Sequence, residues 1–143
     1  MKYNLFLISI ITLSIPSFAQ KTGVAGQLYW NQPESNSDHL DKTIPYSGIP
    51  LEIFVHELTT LAEVDLDDNK ISKIYTPLVK REFAKWNGSF KIKLPPGQYS
   101  IFVFYKNHYF GNLQDRKGNL SPAFVEYKKK SWVTITIDYS SYH

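Results

Sequence analysis

Cysteine is absent from the 143 residues. That excludes disulfides, thiolate metal sites, a cysteine nucleophile and a lipidated cysteine of the lipoprotein kind. An excess of charge of one sign is also missing. Sixteen Lys and Arg stand against 13 Asp and Glu, a net +3, and the lysines are scattered instead of forming the basic stripe of a nucleic-acid binder. Long apolar runs are missing too. The longest, Leu5 to Ile15, has about 11 residues, and a membrane span needs about 20. No helical periodicity of any length is found, nor an internal repeat, a low-complexity tract or an interdomain linker.

What is present begins with an export signal. Lys2 gives a positive start, Leu5 to Ile15 an apolar run and Pro16 a stop. Ser17-Phe18-Ala19 places small residues at −3 and −1. This is the layout of a cleavable signal peptide, so residues 1–19 are expected to leave and the mature domain to run 20–143, periplasmic or secreted, with no transmembrane segment. Loss of Lys2 leaves 15 cations against 13 anions, a net +2. A domain of this size buries roughly two-thirds of its unfolded surface, so it needs no staples.

Aromatics are dense, at 15% of residues, and they fall in short alternating runs. Thr22 to Trp30 reads as a strand with Val24, Leu28 and Trp30 on one side and Gly23 and Gly26 thinning it. Asn31 to Ser47 is polar and loop-like. In Gly48 to Glu57, Ile49, Leu51, Ile53 and Val55 alternate with Pro50, Glu52, Phe54 and His56. Thr60-Leu61-Ala62-Glu63 fits a capping box and predicts one short helical turn, followed by a charged loop over Asp65 to Lys70 and a short strand at Ile71 to Tyr75. Leu78 to Trp86 and Ser89 to Leu94 flank Asn87-Gly88, a hairpin signal in which both central residues take φ > 0. That register sets Phe83 opposite Ile92 in the core and Glu82 opposite Lys93 outside. Tyr99 to Tyr105 is a strongly apolar strand. Lys106 to Ser121 reads as loop, and Phe124 to Lys128 with Trp132 to Tyr139 as a last hairpin. About seven short strands with a helical insertion near 60–66 predict an all-β, Greek-key β-sandwich.

Three segments resemble the carboxypeptidase regulatory-like domain family. Gly23-Val24-Ala25-Gly26-Gln27-Leu28 is similar to its opening G-x-V-x-G strand, and Gly48-Ile49-Pro50-Leu51-Glu52-Ile53 to its G-x-P-L-x-x-V strand. Asn87-Gly88-Ser89-Phe90-Lys91-Ile92-Lys93-Leu94-Pro95-Pro96-Gly97-Gln98-Tyr99-Ser100-Ile101 is similar to D-G-x-F-x-I-x-L-P-P-G-x-Y-x-I. The resemblance runs from Gly23 to the C-terminus and implies a transthyretin-like sandwich. It transfers no active site, because in zinc carboxypeptidases this domain is a non-catalytic appendage. Residues 58–75 depart from the family pattern as an insertion.

The chemical constellations are weak. His56-Glu57-Leu58-Thr59-Thr60 begins like H-E-x-x-H, but Thr60 replaces the second histidine and the segment ends a strand instead of lying on a helix. Asp38, His39 and Asp41 sit in a polar loop. Asp65, Asp67, Asp68 and Asn69 lack the glycine and terminal glutamate of an EF-hand. No G-x-S-x-G elbow exists. Transthyretin-like folds include a hydroxyisourate hydrolase ending in Tyr-Arg-Gly-Ser, whereas this chain ends Tyr139-Ser140-Ser141-Tyr142-His143. Asn87-Gly88-Ser89 and Asn119-Leu120-Ser121 read as turns, not glycosylation sites, and Lys128-Lys129-Lys130 as a solvated hairpin tip. No catalytic residue, metal or cofactor is therefore assigned.

The expected function is non-enzymatic. The domain would bind or scaffold an envelope or extracellular protein or glycan, with a carbohydrate-binding module as the alternative and an unrecognised hydrolase as a third reading. If Tyr99, Ile101 and Val103 face the core, Ser100, Phe102 and Phe104 face the other way. Either residues 58–75 cover them, through Leu58, Leu61, Val64 and Leu66, or Phe102 and Phe104 join Trp86 in an exposed partner patch.

Overall fold

The protein is described by a computed structural model that covers residues 22–31, 46–112 and 114–138. The stretch expected to be an export signal, the cleavage site expected after Ala19, the Asp38-His39-Leu40-Asp41 stretch and the last five residues lie outside the described residues. In chain order the strands are β1 (Gly23–Asn31), β2 (Tyr46–Gly48), β3 (Glu52–Glu57), β4 (Val64–Asp67), β5 (Lys70–Ile74), β6 (Leu78–Phe83), β7 (Ser89–Lys93), β8 (Gly97–Tyr105), β9 (His108–Phe110), β10 (Pro122–Val125) and β11 (Lys130–Asp138). The only helical element among the described residues is a single 3-10 turn at Leu61–Glu63.

The strands form the all-β sandwich that the alternating runs predict. One sheet has β1 at its centre. Parallel β11 flanks it on one side, and antiparallel β7 and β2 follow one another along the other side. The second sheet runs β4-β5-β9-β8-β3-β6, with β10 also paired to β8. The core lies between the two sheets. Val24, Leu28, Phe90, Ile92, Val133, Ile135 and Ile137 meet Ile53, Val55, Tyr99, Ile101, Val103, Ala123 and Val125 there. Gly26 is part of this packing, because a Cβ on it would lie 2.4 Å from the Phe90 ring. The Tyr99 hydroxyl donates to the Pro95 carbonyl at 2.8 Å, tying the Pro95-Pro96-Gly97 corner to the strand that follows.

Three pairings expected from sequence are replaced. Leu78 to Leu94 is not one ladder: β6 pairs with β3 and β7 with β1, in opposite sheets. Phe83 therefore stands opposite Glu52 and is 66% exposed, Glu82 stands opposite Ile53, Ile92 opposite Val24 and Lys93 opposite Gly23. The turn between them still closes on itself. Gly88 N–H donates to Lys85 C=O and Lys85 N–H to Ser89 C=O, each at 2.8 Å. Of the two expected left-handed residues only Gly88 (φ 81°) is left-handed, and a Cβ there would press on the Leu28 carbonyl at 2.4 Å. The last hairpin divides the same way, with β10 on β8 and β11 on β1. The expected second strand divides as well: β2 lies in the first sheet and β3 in the second, with Ile49-Pro50-Leu51 carrying the chain across.

The strand total also exceeds the expected seven or so. Two stretches read as loop contain strands, closed by two-residue turns of left-handed residues: Asp68 (φ 47°) and Asn69 (φ 62°) between β4 and β5, and Lys106 (φ 46°) and Asn107 (φ 66°) between β8 and β9. The insertion at 58–75 is thus one helical turn followed by a hairpin. Its capping pair is in place, with the Glu63 carboxylate accepting from the Thr60 N–H at 2.9 Å and the Thr60 hydroxyl at 3.0 Å.

Candidate functional site

The outer face of the second sheet carries a buried polar cluster. Ser100 and Phe102 point away from the main core, and Val64 and Leu120 close over Phe102, with Ile71, Ile74 and Tyr109 packed alongside. Ser100 and Thr59 are both fully buried. The Ser100 hydroxyl donates to the Leu120 carbonyl at 2.6 Å and accepts from the Thr59 N–H at 2.9 Å. The Thr59 hydroxyl donates to the Glu57 carbonyl at 2.8 Å and lies 2.6 Å from the Thr76 hydroxyl. The Ser121 hydroxyl donates to the Ile101 carbonyl and accepts from the Asn112 N–H at 2.9 Å. These hydroxyls satisfy backbone groups where the 3-10 turn and the 114–121 segment dock on the sheet. They are structural fasteners, each with its proton committed.

His56 completes the cluster. It is 6% exposed, and Nδ1 lies 2.9 Å from the Thr76 carbonyl. A carbonyl can only accept, so Nδ1 carries the proton and Nε2 holds a lone pair. Nε2 is buried and has no hydrogen-bond partner; the ring meets Phe102 edge-on at 6.0 Å. Burial holds the imidazole pKa below its ordinary value, and the hydrogen bond to Thr76 opposes this. Glu57 beside it is exposed.

The three residues expected to form one patch do not share a surface. Phe102 is fully buried, Phe104 is half-buried and Trp86, at the tip of its turn, is 83% exposed. The insertion does cover the outer face, but through Val64, Ile71 and Ile74, whereas Leu61 and Leu66 are each 49% exposed. Phe104 instead joins a cluster with Phe54 and Tyr109, at centroid distances of 6.1 and 4.9 Å. Arg81 caps the Phe54 ring at 5.0 Å while paired to Glu52.

The acidic segment is also absorbed into structure. Asp65 accepts from the Tyr75 hydroxyl at 2.5 Å, and Asp67 lies 3.5 Å from His108. Among the described residues no three His, Cys, Asp or Glu are grouped to hold a metal. Asn119 is nearly buried, and its amide donates to Asp115 at 2.9 Å. This bond and others from the backbone of Asn119 and Lys117 hold the Asp115 carboxyl below its usual pKa.

The outer face of the first sheet carries exposed side chains on both flanks of β1. Its register aligns Lys93, Gly23 and Lys130 in one row, Lys91, Ala25 and Trp132 in the next, then Ser89, Gln27 and Thr134, and beyond them Tyr29 beside Thr136. Trp132 is 69% exposed, and its indole N–H donates to the Thr134 hydroxyl at 3.1 Å, which fixes the ring along the strand. Sequence reasoning passes over this face. The alternation of Val133, Ile135 and Ile137 already sends Trp132 outward, but nothing local says that β11 lies parallel beside β1 or that β7 lies on its other flank. Lys130, read as part of a hairpin tip, is instead the first residue of β11, and Lys129 pairs with Glu126 in the connecting turn. Comparison with family models, curated proteins and solved structures returns no match for this chain.

Proposed function

We propose that the chain is an exported, non-enzymatic β-sandwich of the carboxypeptidase regulatory-like type that binds or scaffolds a partner at the cell envelope or outside the cell. The observation that carries this reading is the set of large aromatic side chains left open to solvent on a well-packed sandwich, Phe83, Trp86 and Trp132 at 66, 83 and 69% exposure. Indole and phenyl rings are the side chains that most often anchor an interface once a partner covers them. The family assignment is supported by where the resembling residues fall. Gly48-Ile49-Pro50-Leu51 lies at the crossing from β2 to β3, and Phe90, Ile92, Tyr99 and Ile101 lie in the core. The test is capture from envelope extract with the exported protein as bait. The reading predicts a specific partner whose recovery drops at least tenfold with Trp132→Ala or with Phe83→Ser plus Trp86→Ser. Recovery indifferent to both variants would contradict it.

A second reading, a carbohydrate-binding module, is favoured by one feature. Trp132 lies on an outward sheet face whose next rows carry uncharged polar side chains, Gln27, Ser89, Thr134 and Thr136, with Lys91 across β1 in its own row. That combination suits a sugar ring, with an apolar face to stack and hydroxyls to pair.

A further inference from the structure

Resting on the carbohydrate-binding reading, we infer that the outer face of the first sheet binds an acidic polysaccharide, lying along β1 with its carboxylates or sulfates on Lys91, Lys93 and Lys130. Gly23 and Ala25 are buried beneath the side chains of the neighbouring strands. The surface presented is therefore made by β7 and β11, with Lys93 and Lys91 on one side of β1 and Lys130 and Trp132 on the other. Strands lie about 4.8 Å apart, so these two rows of side chains stand about 10 Å apart, and the face runs about 20 Å from Gly23 to Tyr29 at about 3.3 Å per residue.

The charge on this face has one sign. No carboxylate stands in the three rows from Lys93 to Thr134, and none of the three ammonium groups is ion-paired among the described residues. Like charges gathered on one face raise the local concentration of anions there.

The backbone decides what kind of anion fits. β1 is bonded on both sides, to β11 and to β7 and β2. An acidic peptide therefore has no free strand edge to pair with here, and recognition must pass through side chains alone. A chain of sugar rings uses what the face presents: an indole held in place by Thr134 for the apolar ring face, the Thr134 hydroxyl as donor, and the Gln27 and Ser89 oxygens as acceptors, their own donors being committed to Asn87, with lysines at one end for acid groups.

Affinity electrophoresis of the purified protein in gels containing polygalacturonate, with dextran as the neutral control, tests this. Retardation by polygalacturonate should exceed that by dextran at least tenfold and weaken as salt is raised from 50 to 300 mM, roughly the range over which screening shortens to a few ångströms. Trp132→Ala and the pair Lys91→Glu, Lys130→Glu should each cut the retardation at least tenfold. Phe83→Ala, on the other sheet, should leave it unchanged. All four positions are exposed, so thermal unfolding of each variant should match the parent. Equal retardation by both polymers would overturn the acidic assignment and leave the carbohydrate reading standing. Retardation by neither would overturn both. A preference for single-stranded DNA over polygalacturonate, lost in the same variants, would assign the face to nucleic acid and overturn the inference.

Discussion

At the residue scale, adjacent aromatics on one strand have different roles. Phe102 is enclosed by Val64 and Leu120, and Phe102→Ala should cost about 3–5 kcal/mol, the range for a large side chain removed from a core. Phe104 is half-buried beside Phe54 and Tyr109, and its truncation should cost about 1–2 kcal/mol, scaled by the apolar area it still buries. Urea unfolding of the two variants checks this; equal losses would mean that the outer face is covered uniformly. His56 gives a second prediction. Its pKa in the folded chain is lowered by burial, so protonation favours the unfolded state. The stability that depends on neutral His56 is complete above the unfolded value of about 6.5 and is lost as pH falls below it toward the folded pKa. Unfolding midpoints from pH 7.5 to 5 should fall in the parent more steeply than in His56→Gln. Parallel curves would show that His56 titrates alike in both states.

At the scale of elements, the sequence makes strands legible and their partners much less so. Alternation locates β1, β7, β8 and β11 to within two residues and the C-terminal end of β3, and the capping box locates the turn at Leu61–Glu63. Periodicity then fails at each crossing between sheets. Ile49, Leu51, Ile53 and Val55 alternate without a break although the chain changes sheets at Pro50, because inward side chains on both sides of the corner reach the same core. Asn87-Gly88 announces a tight turn correctly, but a tight turn can also join strands of opposite sheets. The turns at Asp68-Asn69 and Lys106-Asn107 are missed because they use left-handed residues without glycine. The face bearing Trp132 is missed because it is assembled from three strands remote in sequence. β6 shows how an exposed edge is kept from pairing: its ladder with β3 shifts between Val55 and His56, and Lys80 stands on the core-facing side opposite Val55, its ammonium group 3.4 Å from the Lys93 carbonyl. An inward-pointing charge on an edge strand blocks strand addition. Lys80→Val should therefore promote self-association, seen as a concentration-dependent shift in size-exclusion elution. A monomer at all concentrations would contradict that role.

At the scale of the whole molecule, the described chain is a sandwich whose buried side-chain polar atoms, His56 Nε2 excepted, are bonded internally and whose open aromatics and lysines lie on its surfaces. Among the described residues no helix is long and apolar enough to cross a membrane. If residues 1–19 are an export signal, material recovered outside the cytoplasm should begin at Gln20 by N-terminal sequencing. A start at Met1 would contradict export by cleavage. The claim that reaches furthest is that an acidic polysaccharide binds the outer face of the first sheet and not the interior cluster around His56. The most direct measurement is a titration of the isotope-labelled protein with soluble acidic envelope polysaccharide, followed in two-dimensional amide spectra. The account predicts that the Trp132 indole N–H and the amides of Gly23, Ala25, Gln27, Lys91 and Lys93 shift together and saturate. Shifts centred instead on His56, Thr59, Thr76 and Ser100, or no shifts at all, would contradict it.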